Sequence, residues 1–102
     1  MKFPKIEIPE KGIAAIARKW RIKKLSLFGS VLGEQFSEKS DIDVLVQFEN
    51  DADYSLFDLV DLKDDLEKTL GRTVDLVEKA GIKNPFRKKE ILRSAKVVYA
   101  AR

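Results

Sequence analysis

Residues 25–49 read LSLFGSVLGEQFSEKSDIDVLVQFE. Leu25 to Phe28 predict a short apolar strand that runs straight into Gly29-Ser30, where the chain turns. At the other end, Ile42, Val44, Val46 and Phe48 alternate with Asp41, Asp43, Leu45 and Gln47, the period of two that separates the faces of a sheet, so Ile42 to Phe48 is read as a second strand. On that period Asp41 and Asp43 share a face with Cα atoms about 6.6 to 6.8 Å apart, close enough for both carboxylates to converge on one cation. Between the strands the expectation is a short helix over Val31 to Phe36 and a polar loop from Ser37 to Ser40.

Working outward, residues 9–20 predict a helix, because Ile13, Ile16, Ala17 and Trp20 fall at i, i+3, i+4 and i+7 and Pro9 suits a first-turn position. After the turn residues Asn50, Asp51 and Asp53, a long amphipathic helix is expected from Ser55 to Leu70, with Leu59, Leu62, Leu66 and Leu70 on one face. Ser55 reads as its N-cap and Gly71 as the residue that ends it. Thr73 to Val77 predict a third strand holding one acid, Asp75; Ala80 to Asn84 read as loop. A helix follows from Pro85 to Arg93 with Phe86, Ile91 and Leu92 inward, and Lys96 to Tyr99 read as a last extended piece. Strands separated by helices, without repeats or low-complexity tracts, predict one α/β domain over residues 1–102, a small mixed sheet flanked by helices.

Composition limits the chemistry this domain can do. The 102 residues include no His and no Cys, which excludes a thiolate nucleophile, a Ser-His-Asp triad and a His- or Cys-ligated zinc. Carboxylates, hydroxyls and amines remain, and hard oxygen ligands favour Mg²⁺, Mn²⁺ or Ca²⁺. The apolar fraction of 44 % is enough for a core, while no apolar run approaches membrane-spanning length and the start, MKFPKIEIPEKG, lacks a signal-peptide apolar region. The expectation is a soluble, cytoplasmic protein. Its net charge of +3 conceals a pattern: Glu34 to Glu67 holds twelve acids against two lysines, between basic ends.

Two like charges as close as Asp41 and Asp43 cost stability unless a cation or hydrogen-bond donors neutralise them, and Asp75 interrupts an otherwise apolar strand. Gly29 lets backbone approach a phosphate, and Ser30 offers a hydroxyl and an amide. Gly-Ser turns alone are common, but the spacing G-S-x₁₀-D-x-D together with Asp75 describes a nucleoside-triphosphate site. Donors at a turn would cradle phosphates while carboxylates place metal ions on the attacking and leaving oxygens. The acids of the long helix read as a solvated face, with Asp64 and Lys68 as an i, i+4 pair. Tyr54 and Phe57 are candidates for a base-stacking wall, with loop packing the simpler reading.

The stretch LSLFGSVLGEQFSEKSDIDVLVQFE resembles the signature of the DNA polymerase β-like nucleotidyltransferase superfamily, specifically the minimal nucleotidyltransferases that accompany a HEPN-type toxin, and the likeness covers the whole chain. The resemblance implies a polymerase β palm-like fold. It implies two-metal nucleotidyl transfer from ATP or another NTP, using two Mg²⁺ ions or Mn²⁺. In that scheme Gly29 and Ser30 hold the triphosphate, Asp41 and Asp43 bind both metals, and Asp75 binds the catalytic metal and helps activate the acceptor hydroxyl. It further implies an antitoxin that adenylylates a tyrosine of its HEPN partner. Similar sequences often carry Arg-Gly where this chain has Gly33-Glu34, so a cation near the phosphates is missing; Lys39 and the basic N-terminal helix are candidates to supply it.

The rival reading is a binding module that neutralises the toxin by complex formation alone, its acidic middle meeting a basic partner. Nucleic-acid binding through the basic ends is the weakest reading. Oligomeric state is left open by the sequence: apolar surface that normally meets a partner can drive self-association into a homo-oligomer when the chain is alone.

Overall fold

The computed structural model describes the backbone of residues 2–3 and the residues 6–33, 36–37, 39–50 and 52–101 in full. Two seven-residue strands form its centre: β3 (Ile22–Phe28) and β4 (Ile42–Phe48) pair antiparallel, with Leu25 opposite Val46 and Phe28 opposite Asp43. A two-stranded ribbon of β1 (Lys2–Phe3) and β2 (Ile6–Glu7) precedes them; strands of two residues are too short for any periodicity to reveal. β5 (Val74–Glu78) lies parallel to β4, and β6 (Lys96–Ala100) antiparallel to β3. The resulting order, β5-β4-β3-β6, is the small mixed sheet expected from the sequence. β3 starts three residues earlier than its apolar alternation suggests, because a register shift between Ile22 and Lys24 leaves Lys23 and Lys24 both exposed and breaks the period.

Helices α1 (Glu10–Lys19) and α2 (Leu56–Leu70) cover one face. Ile13, Ile16 and Ala17 of the first and Leu62 and Leu66 of the second are buried against Leu25, Leu27, Ile42, Val44 and Val46. α2 ends as its sequence predicts. Ser55 and Asp58 exchange hydrogen bonds in a capping box, and Gly71 closes the helix in the left-handed conformation at φ 68°. The acids of α2 are therefore not all a solvated face: Asp58 caps, and Asp65 is held by groups from α1. The expected pairing of Asp64 with Lys68 is present at 3.0 Å.

On the opposite face lies α3 (Pro85–Ser94), which begins at Asn84, whose Oδ1 accepts from the amides of Phe86 and Arg87 at 2.9 and 3.1 Å. Only Ile91 of this helix is buried, joining Ile82 over Phe28 and Leu45. Phe86 and Leu92, expected inward, are exposed; Phe86 lies five residues from Ile91, about 140° around the helix, so one cannot be inward when the other is. The helix expected over Val31 to Phe36 is a single 3₁₀ turn, Gly29–Leu32, ended by Gly33. Val31 within it and Phe36 after it are buried anchors, and Glu34 lies outside the described residues. Among the described residues no helix is long and apolar enough to cross a membrane.

Trp20 ties α1 to α2. Its Nε1 and Lys19 Nζ donate to Asp65 Oδ2 at 2.8 and 3.0 Å, and these bonds, that of Trp20 first, hold the Asp65 carboxyl below the usual aspartate range. Since folding favours the ionised form, the stability it contributes is present above the ordinary value of 3.8 and is lost as pH falls through the lower folded-state value. Asp65→Asn is expected to cost about 1 kcal/mol at neutral pH. Urea denaturation of both proteins at descending pH should show the difference closing in the acid range.

Candidate active site

The site lies where β3 ends and β4 and β5 begin. Parallel pairing sets Asp43 directly beside Asp75, and antiparallel pairing sets Phe28, the residue before Gly29, opposite Asp43. Residues in register on neighbouring strands project to the same face from backbones about 4.8 Å apart, so the two carboxylates are neighbours. Asp41 stands one residue before β4. It is exposed, as is Asp75, while Asp43 is half-buried. Burial pushes the Asp43 carboxyl up from the usual range, and the charges of Asp75 and Asp41 push it further; the Ser30 amide, which donates to it, and the Arg87 guanidinium pull the other way. The three acids sense one another across the strand ends, and excess negative charge is left among them.

Gly29 makes this geometry feasible. It holds φ 73°, a left-handed conformation that costs other residues strain, and a Cβ at this position would overlap the Asp43 carboxylate. The turn thus brings the Ser30 amide onto Asp43. In this conformation that amide serves the protein's own acid, leaving the Ser30 hydroxyl as the side-chain donor for a ligand.

The C-terminal end of α2 positions Asp41. After Gly71, Arg72 Nη2 donates to the carbonyls of Ser37 and Ser40 at 2.6 and 2.8 Å, and its guanidinium lies 4.6 Å from the ring of buried Phe36. Thr73 accepts from the Ile42 amide at 2.9 Å through its carbonyl, and its hydroxyl donates to Asp41 Oδ1. Arg72 and Thr73 carry no motif, and the chain between Gly71 and the third strand held no sequence signal except that it had to return to the sheet.

Among the described residues no three acids close around a single point as a ready-made metal cage. What Asp41, Asp43 and Asp75 offer is an open, hard-oxygen edge with surplus negative charge, which suits a Mg²⁺-like ion that keeps water and substrate oxygens in its shell. The residues fit such an ion as partial ligands.

Other expected contributors lie elsewhere. Tyr54 donates its hydroxyl to the Trp20 carbonyl at 2.6 Å and packs edge-on against Phe48 and Trp20, with centroids 4.8 and 5.5 Å apart. Phe48 is at the far end of β4, about 16 Å along the strand from Asp43, so Tyr54 is a packing residue and not a base-stacking wall. α1 covers the face opposite to Asp43, which removes the basic N-terminal helix as a source of positive charge for the site. Arg87, which the sequence offered only as one residue of the basic C-terminal end, lowers the Asp43 carboxyl slightly by its charge.

Comparison with known proteins agrees with this fold. The nucleotidyltransferase domain family matches residues 10–98. The Methanocaldococcus jannaschii protein MJ0128, named as a protein adenylyltransferase, is 42 % identical over 85 residues, 83 % of this chain and 85 % of that protein. The protein adenylyltransferase MntA of Thermococcus cleftensis is 36 % identical over 84 residues, 82 % of this chain and 80 % of its own length. A solved structure described as a minimal nucleotidyltransferase matches with a TM-score of 0.70 at 32 % identity, over 85 % of this chain and 86 % of that one. A toxin-antitoxin crystal structure with AMP-PNP shares the fold, with a TM-score of 0.72 at 23 % identity over 92 % and 75 % of the two chains. The fold is that of a nucleotidyl-transferring enzyme. The chain belongs to the nucleotidyltransferase domain family.

Gly29→Ala should lower stability by about 1 to 3 kcal/mol, measured by urea denaturation, because the new side chain must displace the carboxylate or strain the backbone. Asp43→Asn should do the opposite in the presence of a chelator. The raised carboxyl costs stability once ionised, a cost present above its folded-state pKa and absent below the ordinary value of 3.8. Thermal denaturation should therefore show the Asn variant melting above the parent at pH 7, with the gap closing as pH falls.

Proposed function

We propose that this chain transfers AMP from ATP, with Mg²⁺, to a tyrosine hydroxyl of a cognate HEPN-type toxin, and that it is the antitoxin of that pair, working in the cytoplasm. The observation that carries the reading is Asp43 held in register beside Asp75, with Asp41 two residues upstream, behind a glycine turn that admits no side chain. Relatives named as protein adenylyltransferases support a protein acceptor. A structure of the same fold contains a tri-AMPylated HEPN toxin from Shewanella oneidensis with its MNT antitoxin, which supports the partner.

Asp41, Asp43 and Asp75 would hold two Mg²⁺ ions, or Mn²⁺, whose chemistry when bound is Lewis-acid stabilisation of the charge on the attacking and leaving oxygens. The chain's own residues do the rest. Gly29, lacking a side chain, lets the terminal phosphates approach the backbone, and the Ser30 hydroxyl donates to them. Thr73 and Arg72 keep Asp41 and its loop in place. Asp75, exposed at the start of the edge strand, receives the proton of the acceptor hydroxyl. The acceptor oxygen bonds to the α-phosphorus, the bond from that phosphorus to the bridging oxygen breaks, and pyrophosphate leaves with the electron pair.

Neutralisation by binding alone is favoured by one feature, the exposed apolar row of Leu56, Phe57 and Val60 on α2. Intact-mass measurement of the toxin after incubation with the chain, ATP and Mg²⁺ separates the readings. The expected result is a toxin heavier by one or more AMP units. Transfer should stop with chelator, and should fall at least about a hundredfold in Asp41→Asn, Asp43→Asn and Asp75→Asn, which keep the fold. A tight complex of unchanged mass would favour binding alone. A double Asp41→Asn, Asp43→Asn variant that transfers AMP at the parental rate would sink the catalytic assignment.

A further inference from the structure

The strand ends that build the site, Phe28 to Ser30, Asp41 to Asp43 and Val74 to Asp75, bring acids, a hydroxyl and backbone amides, but no cationic side chain. A nucleoside triphosphate carries several negative charges, and metal ions held by acids offset only part of them. The basic residues of α1 lie across the sheet, on the face Ile13, Ile16 and Ala17 cover, and so cannot reach it.

α3 approaches from the correct face. Its start is fixed by the Asn84 cap and Pro85, and its body by Ile91, buried over Phe28 and Leu45. Arg87 stands one turn before Ile91, hence on the same side of the helix, and helical side chains lean toward the N-terminus. The phenylalanine that Ile91 covers is followed directly by Gly29 and is paired with Asp43. Other α3 cations are disposed differently. Arg93 is paired with Glu90 at 2.8 Å, Lys88 lines a separate hollow with Phe48 and Glu78, and Lys89 faces outward beside Pro85 and Leu92. Among the described residues Arg87 has no ion-pair partner within salt-bridge distance.

We infer that Arg87 is a triphosphate-binding residue, its guanidinium hydrogen-bonding the terminal phosphate oxygens of the nucleotide received at Gly29 and Ser30. The role rests on the nucleotidyl-transfer reading of the site. A planar fork of donors matches phosphate oxygens two at a time, which a lysine ammonium cannot do. It also explains how the site works with Gly33 next to the turn: the cation comes from a helix distant in sequence that packs on the same face.

Calorimetric titration of the full chain with MgATP, and separately with inorganic tripolyphosphate, tests this on the parent and on Arg87→Gln, Arg87→Lys and Lys89→Gln. Arg87→Gln should weaken both ligands by about tenfold or more, with Arg87→Lys between it and the parent and Lys89→Gln unchanged. Equal loss for both ligands places the contact on phosphate, not on base or ribose. Because Arg87 is exposed, the thermal midpoint of each variant should match the parent, showing that affinity and not folding has changed. Binding by Arg87→Gln within about twofold of the parent, or equal losses in Arg87→Gln and Lys89→Gln, would overturn the assignment while leaving the nucleotide site standing. A parent chain that binds neither ligand would overturn the nucleotide reading and the role of Arg87 together.

Discussion

The carboxylate of Asp43 occupies the space that a side chain at position 29 would need, and much of the molecule is organised around that exclusion. Because residue 29 is glycine, the chain leaving β3 can turn with positive φ and place the Ser30 amide on the acid. Because β4 pairs with β3 on one side and β5 on the other, the same acid also has Asp75 beside it. One half-buried carboxylate thus joins three strands electrostatically. Its neighbours are like charges, so the arrangement is held against its own repulsion by packing elsewhere.

That packing lies on the other face of the sheet. Ile42 and Val44, which flank Asp43 in the chain, point away from the site into the core with Leu62 and Leu66 of α2, and both are fully buried. Alternation along one strand therefore does two jobs: even-numbered positions supply the hydrophobic contact, and Asp43 between them carries charge to the other face. The return of α2 to the site end is equally economical. Its terminal glycine is followed by Arg72, which fastens the loop before Asp41, and by Thr73, which hydrogen-bonds Asp41 itself. A helix whose body builds the core thereby ends by orienting a site carboxylate.

Metal-assisted phosphoryl chemistry can run on carboxylates and hydrogen-bond donors and does not require His or Cys. Their absence from the sequence is consistent with the family to which the chain belongs. The acidic middle of the chain is divided in space: Asp41 and Asp43 belong to the site, Asp58 and Asp65 have structural partners, and Asp64 and Glu67 pair with lysines one turn away.

Local pattern sufficed wherever the deciding interaction is local. Alternation at 42 to 48 identified β4, the Leu59, Leu62, Leu66 and Leu70 stripe identified α2, and Ser55 and the terminal glycine marked its ends, because each depends on residues a few positions apart. The pair Asp41 and Asp43 and the turn Gly29-Ser30 were legible for the same reason. Tertiary structure decided what depends on distant residues: that Asp75 lies in register with Asp43, that Val31 and Phe36 anchor a single turn instead of a helix, that Tyr54 packs on Trp20 and Phe48, and that Arg72 and Thr73 hold Asp41 and the loop before it. Strand pairing and helix docking bring together residues more than thirty positions apart, and no periodicity in the chain records which of them will meet.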